Sequence, residues 1–196
     1  RKLGVKIILG EEVTPLLVEK IDPDVVFVAT GSVPTIPENL EVEGKNVVLA
    51  NDVLASKASV KEKVVVVGGG MIGAETAEFL TEKGKKVTIL EMLGRMGIDM
   101  VPAVIVLLYQ RLKKLGVAII TNAKVEGITD DGVVYEKDGE KHTVEAESVV
   151  LALGSKPNKS LMNTLKGQVS ELHAIGNAKE PGNALEAIHQ GFRAAI

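Results

Sequence analysis

The sequence contains no cysteine. That absence removes disulfides, a thiol nucleophile, a CxxC redox pair and cysteine-held iron–sulfur clusters from its chemistry. Histidine is nearly as scarce. His142, His173 and His189 stand far apart and form no two-histidine helical motif, so a zinc site has no sequence support. A long hydrophobic run is also missing. The longest, Val101 to Leu108, holds Pro102 and is too short to cross a bilayer, and the N-terminus is not signal-like. Basic runs are absent too: 23 Lys and Arg are offset by 26 Asp and Glu along the chain, with no aromatic-basic interleaving. These patterns argue against nucleic acid or a membrane as partner and for a cytoplasmic protein. With so few reactive side chains, the chemistry must come mostly from a bound cofactor.

What is present is ordinary globular material, 45% hydrophobic and 25% charged over 196 residues, enough for one large domain or two small ones. Short β-branched runs punctuate it: "VKIIL" (5–9), "DVVFVAT" (24–30), "KVVVVG" (63–68), "KVTILE" (86–91), "VAIIT" (117–121) and "SVVLAL" (148–153). Runs apolar on both faces suit buried strands of a parallel sheet. Ile72, Thr76, Phe79 and Leu80 recur at helical spacing, with Gly84 as C-terminal stop. A second helix is expected over Asp99 to Leu115, with Pro102 in its first turn and Gly116 just past its end. Asp-Gly pairs at 131–132 and 138–139 break residues 124–147 into short antiparallel strands. The class is α/β with an inserted β-meander.

The chain also repeats itself. "LGVKIILGEEV" (3–13) matches "LGVAIITNAKV" (115–125) at six of eleven positions, and "VATGSVP" (28–34) matches "LALGSKP" (151–157) at Ala, Gly, Ser and Pro, in the same order. Duplication explains an ordered pair of matches better than chance does. In the second copy a glycine turn precedes the "LGV" strand; the first copy shows none after Arg1. The chain, which begins with Arg rather than Met, therefore reads as a piece that lacks the opening βαβ unit of one of two nucleotide domains.

The glycine turn is Gly68-x-Gly70-x-x-Gly73, after a strand and at the start of a helix. The first glycine permits the tight turn, the second lets the backbone approach a diphosphate, and the third lets the helix pack closely on the strand. The helix-start N–H groups, around Met71 and Ile72, would face the diphosphate with the helix dipole behind them. Glu91 ends the next strand, 18 residues after Gly73. A carboxylate there accepts from ribose hydroxyls and repels a 2′-phosphate, which favours NAD(H) over NADP(H). Arg95, four residues on, offers partial accommodation of such a phosphate.

With "VFVATGSVPTIP", "VVVVGGGMIGAETAEFL" and "VLALGSKPN" in hand, the chain resembles the flavoproteins that insert an NAD(P)H domain into an FAD domain. "LHAIGNAKEPGNALEAIHQGFRAA" and "EMLGRMGIDM" are similar to the C-terminal part of 2-enoate and 2,4-dienoyl-CoA reductases, old-yellow-enzyme-like NADH:flavin oxidoreductases. The resemblance implies a Rossmann-like three-layer NAD(P)H-binding domain at 33–150, inserted into a partial FAD-binding domain formed by 1–32 and 151–196. It places Gly31 and Gly154 at the crossovers between them and Glu75 toward the nicotinamide. Asn177, where these flavoproteins usually carry Asp, falls against the flavin ribityl chain. Asn183 to Ala187, including Ala184 and Leu185, open a helix aimed at the flavin ring.

The implied reaction is hydride transfer from NADH to FAD, with no acid–base residue assigned. FMN and an iron–sulfur cluster are implied only for regions outside this chain, which would be the rest of the same polypeptide or an electron-acceptor domain. Two alternatives stay open: the cofactor module of a ferredoxin- or rubredoxin-reductase-like electron carrier, and a nucleotide-binding module without turnover. The piece as given is expected to bind NADH, to hold FAD poorly and to be inactive alone.

Overall fold

The computed structural model describes residues 3–37, 40–42 and 46–196. The chain divides into two compact units, Arg1–Val33 with Ser155–Ile196, and Pro34–Gly154. In chain order the first unit opens with helix α1 (Pro15–Ile21), strand β1 (Val25–Val28) and strand β2 (Ser32–Pro34), where the chain passes into the second. Thr14 starts α1: its hydroxyl accepts from Leu17 N, and Pro15, which has no N–H to lose, fills the first helical position.

The second unit contains β3 (Glu41–Val42), β4 (Val47–Leu49), α2 (Ala50–Leu54), β5 (Lys63–Val67), α3 (Met71–Glu82), β6 (Lys86–Leu90), α4 (Pro102–Lys114) and β7 (Ala118–Ile120). A meander follows, β8 (Lys124–Thr129), β9 (Gly132–Lys137) and β10 (Glu140–Glu145), and then β11 (Ser148–Leu151). Five strands form a parallel sheet in the order β4-β11-β5-β6-β7. The meander and β3 form a second sheet, β10-β9-β8-β3.

The four valines of β5 show why three layers result. Side chains alternate across a strand, so Val64 and Val66 pack with Ala74, Ala77 and Leu80 of α3 and Leu108 and Leu112 of α4. Val65 and Val67 face the other way, onto Ile128, Val133 and Tyr135 of the meander. The run reads as continuously apolar because both faces of the strand are covered. The class is the expected one, α/β with a Rossmann-like parallel sheet and a β-meander.

The first unit resumes with β12 (Ser155–Pro157), α5 (Ser160–Leu165), β13 (Glu171–Ala174), a 3-10 turn (Gly176–Ala178) and α6 (Ala184–Ala194). β12 pairs with β2, and β13 runs parallel to β1. Its core is small: Val18, Val28, Leu165 and Ala178 are buried.

Three sequence expectations need correction. "VKIIL" (5–9) is not a strand; its apolar side chains lie exposed, because among the described residues no strand runs beside it. The sequence predicts β1 to be apolar on two buried faces, yet Val25 and Phe27 are exposed and Val28 alone of its residues is buried, since among the described residues β13 is its single neighbour. Finally, α4 begins at Pro102 rather than Asp99. Asp99 instead bonds outside its own helix, as described next.

Candidate functional site

The glycine turn sits at the C-terminal end of β5, where parallel α/β sheets place their ligands. Gly68 has φ +105°, and a Cβ there would strike the carbonyl oxygen of Ala152. Its N–H donates to Leu90 O at 2.8 Å, and Ala152 N donates to Val67 O at 2.8 Å, so the turn is sewn to the strand ends on both sides. A Cβ on Gly73 would collide with the Gly68 carbonyl oxygen; its absence is what lets α3 sit directly on the turn. Gly70 occupies the N-cap of α3 and has no side chain to cap it. The three glycines thus shape a backbone cradle at a helix start, a form suited to a diphosphate, with its first helical N–H held by Asp99.

A cleft of about 560 Å³ opens beside this cradle, lined by Gly68, Gly70, Glu91, Met92, Val125 and Leu153 among others. That volume lies in the usual range for small-molecule sites. Glu91 is buried at its edge. One carboxylate oxygen accepts from Gly69 N at 2.6 Å and the other from Leu93 N at 2.7 Å, so Glu91 braces the glycine turn against the end of β6. Each carboxylate oxygen has a second lone-pair site, so Glu91 retains acceptor capacity beside the cleft it lines. Glu126 also lines the cleft, at the irregularity where β8 shifts register against β9. Lys141 pairs with Glu126 and holds its carboxyl below the ordinary value.

The other sequence-selected residues are distributed more widely. Met71 is exposed at the first position of α3, while Ile72 packs toward the core, so both would meet a ligand through the backbone. Glu75 is exposed on α3 and does not line the cleft. Arg95 borders a separate groove with Met96, Ile105 and Tyr109. Gly154, at φ +83°, accepts from Thr35 N at 3.0 Å; Gly31, at φ +73°, accepts from Asn158 N at 3.0 Å. The two crossovers are therefore built alike.

In the first unit, Gly31, Gly176, Asn177, Asn183, Ala184 and Ala187 line a groove of about 590 Å³. Asn177 accepts from Gly182 N through its side-chain oxygen at 3.1 Å, which leaves its amide group as the polar contact for a ligand. Asn183 and Glu186 form a reciprocal capping box that fixes the start of α6, with Ala184 and Leu185 in its first two positions. Sequence reasoning missed Asp99, whose two carboxylate oxygens both accept from Met71 N at 3.1 Å. Its position, 28 residues from Met71 inside a loop, carries no local motif.

Residues 2–179 match the family described as pyridine nucleotide-disulphide oxidoreductase. The chain belongs to that family. It is 38% identical over 200 residues to an NADH oxidase of Thermoanaerobacter brockii, covering 99% of this chain and 31% of that protein. It is 32% identical to a cinnamate reductase of Clostridium sporogenes, covering 100% and 30% respectively. Among solved structures, a 2-naphthoyl-CoA reductase in complex with 2-naphthoyl-CoA superposes with a TM-score of 0.91 at 33% identity, covering all of this chain and 30% of that one. The chain thus spans about a third of the length of these relatives. The 196 residues contain no cysteine and so hold no disulfide among themselves. Among the described residues no helix is long and apolar enough to cross a membrane, and no cluster of three or more His, Asp or Glu could hold a metal.

Proposed function

We propose that Pro34–Gly154 is the NADH-binding unit of an NAD(P)H-dependent flavoprotein oxidoreductase. In its whole form the protein passes reducing equivalents from NADH to FAD. The observation that carries this reading is the backbone cradle of Gly68, Gly70 and Gly73 at the start of α3, with Glu91 at the end of the next strand. When bound, NADH would supply a hydride and FAD would accept it. This chain's residues bind and orient. Gly70 lets the diphosphate approach the α3 N–H groups, Glu91 braces the turn and receives the adenosine ribose, and Leu90, Val125 and Leu153 give the cleft an apolar wall. Arg95 borders another groove and is not placed to receive a 2′-phosphate beside Glu91, which supports NADH over NADPH; among the described residues Lys124 is the cation that lines the cleft.

The groove of Gly31, Asn177, Asn183 and Ala184 fits one side of a flavin nucleotide: a polar amide, a glycine crossover and a helix start. The finer assignment is an enzyme whose remaining regions carry FMN and an iron–sulfur cluster and reduce an activated alkene. The likeness to a cinnamate reductase and a 2-naphthoyl-CoA reductase supports it, as do the C-terminal sequence words noted above. Its partner would be the rest of its own polypeptide or an electron-acceptor domain.

Calorimetric titration of the chain with NADH, NADPH and FAD tests the proposal. The expected result is saturable NADH binding, weaker NADPH binding, and weak FAD binding to a unit whose core is small. A chain that takes up neither nicotinamide nucleotide refutes it.

A further inference from the structure

The glycine turn ends in a helix with a vacant cap position: Gly70 offers no side chain, and α3 has no acidic residue in its first turn. That end nevertheless has an anion on it. Both carboxylate oxygens of Asp99 lie 3.1 Å from Met71 N, and a Cβ on Gly70 would meet the same carboxylate at 3.2 Å. The loop bearing Asp99 is fixed at its near side. Gly97 N donates to Gly69 O at 2.7 Å, and Met96 is buried in the core beside Gly69. Asp99 itself is exposed and stands beyond this anchor.

We propose that Asp99 is a built-in competitor of the dinucleotide's diphosphate, occupying its place at the α3 N-terminus and turning away when the dinucleotide binds. The inference rests on the NADH reading above. A helix N-terminus favours one negative group. The diphosphate needs the Met71 N–H that Asp99 holds, and it brings like charge to within a few ångströms of the carboxylate. Asp99 therefore satisfies the helix end in the free protein and weakens NADH in proportion to phosphate charge. The anchored Gly97–Gly69 contact keeps the rest of the loop in place during the exchange, so only the acidic tip has to move. This makes Asp99 a positioning and affinity-setting residue rather than a catalytic one.

The test is titration of the wild-type chain, Asp99→Asn and Asp99→Ser with NADH, ADP-ribose and adenosine at low salt. Asn keeps a side-chain oxygen of the same reach while losing the charge, and Ser removes the charge with a shorter hydroxyl. The expected result is NADH and ADP-ribose binding about three- to tenfold tighter in both variants, the size of one exposed like-charge contact, with adenosine unchanged and the gain shrinking as salt rises. NADH affinity that is unchanged or weaker in the variants overturns the proposal. So does a gain that extends equally to adenosine, which would report a loosened cleft. A wild-type chain that binds no NADH removes the NADH reading and this inference together, whereas wild-type binding with unaltered variants removes this inference alone.

Discussion

Two stretches of this chain spell nearly the same words and fold differently. "LGVAIIT" in the second unit follows α4 and becomes β7, paired with β6, and its Val117 is 6% exposed. "LGVKIIL" in the first unit has no neighbouring strand among the described residues, and its Val5 and Ile7 are 61% and 63% exposed. The backbone still follows the repeat. Gly4 and Gly116 both have positive φ, at +75° and +81°, as do the aligned Gly10 and Asn122 at +73° and +52°. The shared local pattern sets the turns, while burial depends on what lies alongside. An apolar run states a capacity for packing, and the rest of the sheet decides whether it is used.

Four groups of substitutions, seven variants in all, probe that contrast. The largest effect is expected from the glycines. Gly73→Val drives a side chain into the Gly68 carbonyl, and the second unit should lose about 3 kcal/mol or more, together with NADH binding. Gly31→Ala in the first unit meets open space and costs only its left-handed φ, about 1 kcal/mol. Denaturant unfolding of each variant measures both. Next come the repeat positions themselves. Ile119→Ala should cost about 2 kcal/mol because Ile119 packs on the core, whereas its counterpart Ile7→Ala should stay within about 0.5 kcal/mol. Equal costs would break the comparison.

Glu91→Gln tests the brace and the specificity together. One of the two backbone bonds loses its acceptor to the amide NH2 and the other keeps only a neutral oxygen, so stability should fall by about 1.5 kcal/mol, and the preference for NADH over NADPH should narrow by about three- to tenfold. Paired titrations with the two nucleotides read that ratio. The smallest effect concerns acid. Lys86 holds the Glu62 carboxyl, and Lys141 the Glu126 carboxyl, below their ordinary value of 4.5. A carboxylate whose folded value is depressed stabilises the fold above its unfolded value, and that stabilisation disappears as pH falls through the folded one. Glu62→Gln and Glu126→Gln should therefore melt slightly below the wild type at neutral pH and converge with it once pH drops well under 4.5. The Glu62 pair is solvent-exposed and Glu126 half-buried beside an exposed Lys141, so the differences should be small.

Much of the second unit was legible in the sequence because its signals are local. Gly84 and Gly116 mark the two helix ends, Pro102 marks a start, and the Asp-Gly pairs at 131–132 and 138–139 fall at the meander's turns. The spacing from the glycines points to Glu91, but the two hydrogen bonds it accepts, from Gly69 N and Leu93 N, depend on how the β6 loop folds back. Asp99 looked like a helix start for a good local reason, an acid three residues before a proline. Its actual partner lies across the turn on α3, at a distance in sequence that no periodicity encodes. The first unit was over-read for the same physical reason: strand propensity in "VKIIL" and "DVVFVAT" says nothing about how many neighbours each strand has.

The central claim is that the glycine turn of Pro34–Gly154 is the nicotinamide-nucleotide site. Backbone amide resonances followed during NADH addition test it most directly. The account predicts saturable shifts at Gly68 to Ile72 and at Glu91 to Leu93, with the first unit's Gly31 and Gly176 to Leu185 unchanged. Shifts confined to the first unit, or none that saturate, would contradict it.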